Sequence, residues 1–168
     1  PAGYVADLFD RYADDFSSHL SQLNYRAPDI LIKAALGCLS HPWPRVLDLG
    51  CGTGLVGECL KGNSQQVDGV DLSPGMVKRA LDSGHYSRVW QADIHDAMEQ
   101  AFRAGDLYDL IVSADVFIYV GALERAFQLA TRVLRVGGAL AFSLEEWSAG
   151  PEEYVLRPSL RYAHSLAY

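Results

Sequence analysis

The sequence predicts an α/β domain built on a doubly wound parallel sheet of five strands. Two observations lead there. From about residue 45 to 144, short apolar runs alternate with helical segments, and each predicted strand is apolar on both faces. A strand buried on both sides needs helices over both faces of the sheet. Right-handed crossovers between such strands then put a ligand crevice at their carboxyl ends. At 168 residues, the chain is long enough for one domain burying roughly 70% of its unfolded surface.

Each element has its own signal. Val5, Leu8, Phe9, Tyr12 and Phe16 share one face of a predicted helix over 4–16. A second helix opens near Pro28, with Ile30, Leu31, Ala34, Ala35 and Leu39 as its apolar stripe, and His41-Pro42-Trp43-Pro44 breaks it. Arg45–Leu49 reads as the first strand, followed by a glycine turn and a helix over 54–61. Val67–Asp71 is the second strand. Ser73 is then a good N-cap and Pro74 a good first helical residue for a helix to Leu81. A third strand is expected at 87–91, a helix at 95–104 and a fourth strand at 107–113. Leu123, Ala126, Phe127, Ala130, Val133 and Leu134 form a long amphipathic helix stopped by Gly137-Gly138. Ala139–Leu144 is the fifth strand. Residues 1–40 are expected to form a helical lid and 41–168 the ligand-binding core, within one domain.

Composition excludes several functions. The chain has 21 acidic and 14 basic residues, a formal charge of −7. No basic cluster offsets this, so nucleic acid is not an expected partner, because phosphate binding needs a local excess of Lys and Arg. The three cysteines show no C-x-x-C spacing, which argues against a disulfide framework or a zinc site and for a reducing, cytoplasmic setting. No apolar run approaches the ~18 residues of a membrane span and no signal peptide is visible. Pro1 reads as an internal start.

The stretch Asp48-Leu49-Gly50-Cys51-Gly52-Thr53-Gly54-Leu55-Val56-Gly57 contains two glycine patterns. From Gly52 it fits G-x-G-x-x-G, the dinucleotide fingerprint of an NAD-dependent oxidoreductase. From Asp48 it is D-x-G-x-G-x-G, the loop of S-adenosylmethionine (SAM) enzymes. Gly50, Gly52 and Gly54 let the backbone turn sharply and admit a ligand against bare peptide groups. A pyrophosphate wants no carboxylate beside these N–H groups. SAM brings an ammonium that wants an acceptor, and Asp48 at the strand end supplies one directly or through water. Asp71, ending the second strand, can accept from both ribose hydroxyls. Asp93, ending the third, can accept from the adenine amino group while Ile94 packs on the ring.

These residues carry a resemblance. Val46-Leu47-Asp48-Leu49-Gly50-Cys51-Gly52-Thr53-Gly54, Val70-Asp71-Leu72-Ser73 with Met76, Ala92-Asp93-Ile94, Tyr108-Asp109-Leu110-Ile111 and Arg135-Val136-Gly137-Gly138 resemble the motifs of class I SAM-dependent methyltransferases, in order and spacing. The likeness covers about residues 45–145 and implies a Rossmann-like core, SAM as cofactor and methyl transfer (EC 2.1.1 class) to a small-molecule or protein acceptor. On that view Gly57 completes G-x-G-x-x-G by coincidence. Leu8-Phe9-Asp10, Asn24-Tyr25-Arg26-Ala27-Pro28, Ala114-Asp115-Val116-Phe117-Ile118-Tyr119 and Arg161-Tyr162-Ala163-His164-Ser165 are similar to a narrower group. These are predicted bacterial methyltransferases that carry tetratricopeptide repeats upstream, and the likeness implies such repeats in the full-length chain.

The cofactor-site candidates are Tyr12, Arg26, Asp48, Gly50, Cys51, Gly52, Gly54, Leu55, Asp71, Leu72, Met76, Asp93, Ile94 and Ala114; the alternative for Tyr12 is the core, and for Arg26 the cap of its own helix. Asp115 and Tyr119 follow the fourth strand, beside the transfer point. They are the catalytic candidates, Asp115 to bind or deprotonate the acceptor. Methyl transfer from a sulfonium has an excellent leaving group, so positioning and exclusion of water come first and no triad or metal is demanded. His85, His95 and His164 are isolated and read as surface or packing residues. The chain departs from the family past Leu144. Arg157-Pro158-Ser159-Leu160 reads as loop, so the last antiparallel hairpin of the seven-stranded fold is expected to be missing, leaving the fifth strand as an open edge. A SAM-binding module without catalysis is the alternative from a different functional class.

Overall fold

The computed structural model describes Gly3, Phe9, Asp10 and residues 25–168. The helix expected over 4–16, with Tyr12 and Phe16, otherwise lies outside the described residues. The first complete helix is α1 (Ala27–Cys38), with Pro28 in its opening turn. Five strands follow, β1 (Trp43–Leu49), β2 (Ser64–Asp71), β3 (Arg88–Gln91), β4 (Tyr108–Ser113) and β5 (Leu134–Phe142). Between them lie α2 (Leu55–Cys59), α3 (Pro74–Asp82), α4 (Ile94–Ala104) and α5 (Glu124–Val133), with a 3₁₀ turn at Phe117–Tyr119.

The five strands are parallel and ordered β3-β2-β1-β4-β5. The order reverses at β1, which pairs with β2 on one side and β4 on the other. A crevice opens at that switch point, outside the carboxyl ends. The period-2 alternation of strand side chains divides the core. Leu47, Leu49 and Ile111 pack under α4 and α5 on one face, with Phe117 between Phe127 and Phe142. Val46, Leu110 and Val112 pack against Ile32 and Ala35 of α1 and Val56 of α2 on the other.

At the amino ends of the strands a charged cluster replaces apolar packing. Asp68 is fully buried and accepts from Arg45 Nη2 at 2.9 Å, Arg45 Nε at 3.1 Å and the Tyr108 hydroxyl at 3.0 Å. Arg45 also reaches Asp106 at 2.7 Å.

Two expectations need correction. The first strand begins at Trp43, two residues early, because the indole is buried and the Trp43 N–H donates to Asn63 O at 2.8 Å. Gly137-Gly138 does not stop the long helix. α5 ends at Val133 and Leu134 is already extended, so β5 runs 134–142 and not 139–144. The glycines lie in a bulge, where the partners of Tyr108 and Leu110 jump from Leu134 to Ala139.

The residues past Leu144 add no strand to the main sheet, as expected, and Arg157–Leu160 is a turn. They are not all loop, since β6 (Glu145–Glu146), β7 (Tyr154–Leu156) and β8 (Tyr162–His164) form a separate small sheet in the order β6-β8-β7. β7 and β8 are an antiparallel hairpin turned by Arg157–Leu160. They do not extend the main sheet, and β5 is its edge among the described residues.

Removing Arg45 would leave buried Asp68 with the half-exposed Arg88, at 3.3 Å, as its remaining cationic partner among the described residues. Arg45→Ala is expected to cost up to about 3 kcal/mol in urea unfolding. An Arg45→Ala/Asp68→Asn double variant should recover part of that loss.

Candidate functional site

The glycine turn after β1 is shaped by close packing. Gly50 has φ +74°, and a Cβ there would collide with the Val116 side chain that follows β4. The N–H groups of Gly50 and Cys51 both donate to Val70 O at 2.8 Å, folding the loop over the end of β2. Beneath it lies Asp48, fully buried. Its Oδ2 accepts the Tyr86 hydroxyl at 2.7 Å, and its Oδ1 has no hydrogen-bond partner among the described residues. Burial pushes this carboxyl up to about 7. Neighbouring Asp71 adds to the rise and the Tyr86 hydroxyl opposes it.

Asp71 uses both oxygens locally. Oδ2 accepts the Gly52 N–H and Oδ1 the Ser73 N–H, each at 2.9 Å. It thereby ties the glycine loop to the start of α3. Each oxygen keeps a further lone pair for a ligand. Ser73 caps α3 by accepting from Met76 N, and its own hydroxyl donates to Asp10 Oδ1 at 3.0 Å. The Gly75 N–H donates to the same oxygen at 2.9 Å.

These strand ends enclose a cavity of about 330 Å³. Its floor is Gly50–Thr53, one flank is Asp71, Leu72 and Ile94, and the opposite flank is Ala114, Asp115, Val116 and Tyr119. Phe9, Tyr25 and Arg161 also line it. The Phe9 ring meets Tyr119 edge-on at 5.7 Å.

Asp115 has φ +55°, a left-handed backbone uncommon for a residue with a side chain. Ser143, just past β5, holds it there. The Asp115 N–H donates to Ser143 Oγ at 2.7 Å, and that hydroxyl donates back to Asp115 Oδ1 at 2.6 Å. The Tyr25 phenol is pushed well above its ordinary value by burial and by the adjacent Asp115 carboxylate. Burial likewise raises Tyr119, against the pull of nearby Arg161.

Of the predicted site residues, Gly50, Cys51, Gly52, Leu55, Asp71, Leu72, Ile94, Ala114, Asp115 and Tyr119 share the cavity wall. The others lie elsewhere. Asp48 is under the floor. Gly54, at φ +105°, packs against Ser83 and Tyr86. Met76 is 1% exposed within the core. Asp93 caps α4 by accepting the His95 N–H at 2.8 Å, and the His95 ring nitrogen lies 2.8 Å from the same oxygen. Arg26 pairs with Asp29 at 3.1 Å on the surface. Tyr12 lies outside the described residues. His164 is buried with Nε2 2.8 Å from Gly121 O, a packing position.

Sequence reasoning missed Tyr25, Arg161, Ser143 and Tyr86 as site residues. The first two stood inside the quoted Asn24–Pro28 and Arg161–Ser165 stretches, which was a usable signal. Ser143 and Tyr86 had none, since each acts on a residue far along the chain.

The fold and the cavity define a Rossmann-like domain with a cofactor-sized crevice at the β1/β4 switch point. A methyltransferase-domain family model matches residues 47–142, and the chain belongs to that family. Its fold is that of the class I SAM-dependent methyltransferases. The DhpI-SAM-HEP complex is similar with a TM-score of 0.67 at 21% identity, over 96% of this chain and 81% of that one. Streptomyces venezuelae DesVI gives 0.68 at 20%, over 88% and 65%.

Among curated proteins, malonyl-[acyl-carrier protein] O-methyltransferase of Enterobacter lignolyticus is 33% identical over 148 residues, 88% of this chain and 56% of the relative. Human methyltransferase-like protein 27 is 39% identical over 89 residues, 49% of this chain and 35% of the relative. The chain thus spans between a third and little more than half of these relatives' lengths.

The elevated Asp48 has a consequence for stability. An unfolded Asp ionises near 4, so between about 4 and about 7 the native state holds a proton that the unfolded chain has lost. Stability therefore falls as pH rises through that window and levels off above it. Thermal unfolding from pH 5 to 8 should show a flatter profile for Asp48→Asn, with a higher Tm at pH 8. Parallel profiles for the two proteins would contradict this origin.

Proposed function

We propose that this chain binds SAM in the switch-point cavity and transfers its methyl group to an acceptor held beside Asp115 and Tyr119. The observation that carries this reading is the convergence of Asp71 and the Ile94 corner on one crevice, around a glycine loop too tight for a Cβ at Gly50 and with buried Asp48 beneath it. The residues suit the ligand. A buried carboxyl with an orphaned oxygen favours a cationic group above it. Asp71 presents acceptors to ribose hydroxyls, and Leu72 and Ile94 supply apolar walls for a purine.

When bound, SAM supplies an electrophilic methyl group on a sulfonium and departs as S-adenosylhomocysteine. Everything else falls to the protein. Gly50–Thr53 admit the amino-acid moiety, and Asp48 balances its ammonium from below. Asp93, at the cap of α4 next to the cavity-lining Ile94, accepts from the adenine amino group. Tyr25, Phe9 and Tyr119 cover the cavity and exclude water, which sharpens electrostatics inside it. The N-terminal segment acts as a lid, supported by the Phe9 contact with Tyr119 and the Asp10 hydrogen bonds at the start of α3. Asp115, fixed by Ser143, shapes the acceptor end of the cavity, and a carboxylate acceptor brings no proton for it to take. Placing the nucleophile about 3 Å from the methyl carbon provides most of the acceleration.

The acceptor we propose is a carboxylate oxygen on a thioester-linked acyl group. Arg161 on the cavity wall supports an anionic acceptor, since guanidinium matches carboxylate geometry. Relatives named malonyl-[acyl-carrier protein] O-methyltransferase support oxygen as the methylated atom. Release of S-adenosylhomocysteine from SAM with a malonyl thioester, and not with a simple phenol, is the expected outcome. Turnover of the phenol alone would overturn the assignment. Asp71→Ala should weaken S-adenosylhomocysteine in calorimetry by about 1–3 kcal/mol. Unchanged affinity would remove Asp71 from the cofactor site.

A further inference from the structure

Tyr86 lies outside every motif quoted above, in the loop between α3 and β3, yet the glycine turn is built around it. A Cβ at Gly57 would stand 2.7 Å from its ring, and one at Gly69 2.9 Å. Those two glycines leave a slot that the ring fills. The Gly57 N–H donates to the Tyr86 oxygen at 3.1 Å, so the phenolic proton is free to go to Asp48 Oδ2 at 2.7 Å. The opposite carboxyl oxygen is buried with no partner among the described residues. Simple core packing would need neither an orphaned oxygen nor a hydroxyl aimed at a buried acid. An unsatisfied carboxyl under a ligand-binding loop is expensive to keep unless something completes it.

We propose that Tyr86 is a positioning residue that holds Asp48 so that the arriving ammonium of the cofactor drives a proton off the carboxyl and into solvent. Cofactor binding is then linked to proton release, with affinity rising with pH until Asp48 is ionised in the free protein. The proposal rests on the SAM-binding reading above. One O–H bond of the Asp48 carboxyl breaks, the proton passes to buffer, and the carboxylate is balanced by the ammonium and by the Tyr86 hydroxyl.

Other groups face Asp48. They are Asp71 from β2, Cys51 from the loop, Cys59 from α2 and Tyr25 from the segment before α1. Burial raises both thiols and the Tyr25 phenol, keeping them neutral near pH 7. Burial raises Asp71 too, opposed by the Ser73 and Gly52 N–H groups it accepts. Asp48 itself is poised, pushed up to about 7 by burial.

The test is calorimetry of S-adenosylhomocysteine, which carries the same ammonium, in buffers of different ionisation enthalpy between pH 6 and 8.5. The wild-type chain should release protons on binding near pH 6.5 and few at pH 8.5. Asp48→Asn should lose most of that release. Tyr86→Phe keeps the ring in its slot and removes only the donor. It should weaken binding about ten-fold at pH 6.5, the scale of a hydrogen bond to a charged group, and much less at pH 8.5. Equal weakening at every pH would mark Tyr86 as merely structural and overturn the proposal. So would tight wild-type binding without proton release, while leaving the cofactor reading intact. Failure of the wild-type chain to bind S-adenosylhomocysteine at any pH would instead overturn the cofactor reading.

Discussion

A shortage of space around one aromatic ring organises the ligand end of this fold. Tyr86 occupies the volume that side chains at Gly57 and Gly69 would need, and its hydroxyl is tied at once to the Gly57 N–H and to Asp48. On the other side of the loop, Gly50 leaves room for Val116, which leads out of β4. The loop is therefore pinned between the strands that flank β1. Its two donors to Val70 O and the Gly52 link to Asp71 complete the constraint. Added bulk at these glycines meets a neighbour already in place.

This packing also shapes the electrostatics. Burial disfavours the charge on both Asp48 and Asp71, and the neighbouring Asp71 adds to the rise at Asp48. The crevice is thus poised toward a cation, in keeping with the sulfonium and ammonium of the proposed cofactor. The opposite end of the sheet solves a similar problem differently, pairing fully buried Asp68 directly with Arg45 and Arg88 and with the Tyr108 hydroxyl. One buried aspartate is satisfied within the fold and the other is left partly open. That contrast separates a structural carboxylate from one available to a ligand.

The small carboxyl-terminal sheet contributes to the site without joining the main sheet. His164 reaches Gly121 O, and the Tyr168 hydroxyl accepts the Leu123 N–H at 2.9 Å. These contacts seat the sheet against the segment that follows Tyr119. Glu145 pairs with Arg157 and Arg161, holding the latter beside the cavity. The positive charge on the cavity wall therefore comes from a segment past the five-stranded sheet.

Sequence alone determined the parallel sheet, the order of its strands and helices, and the corners at Asp48, Asp71 and Ile94. Those features follow from local causes: apolar periodicity, capping by Ser73, and glycines at a turn. Local signals failed where the deciding partner was distant. Trp43 joins β1 because of Asn63, and Gly137-Gly138 becomes a bulge because β5 must register against β4. Only the tertiary structure put Arg26 on the surface and Arg161 in the cavity, and turned Gly57 from an accident of spacing into the seat of Tyr86. Those choices depend on which atoms compete for the same buried volume, a quantity that exists only once the elements are packed together.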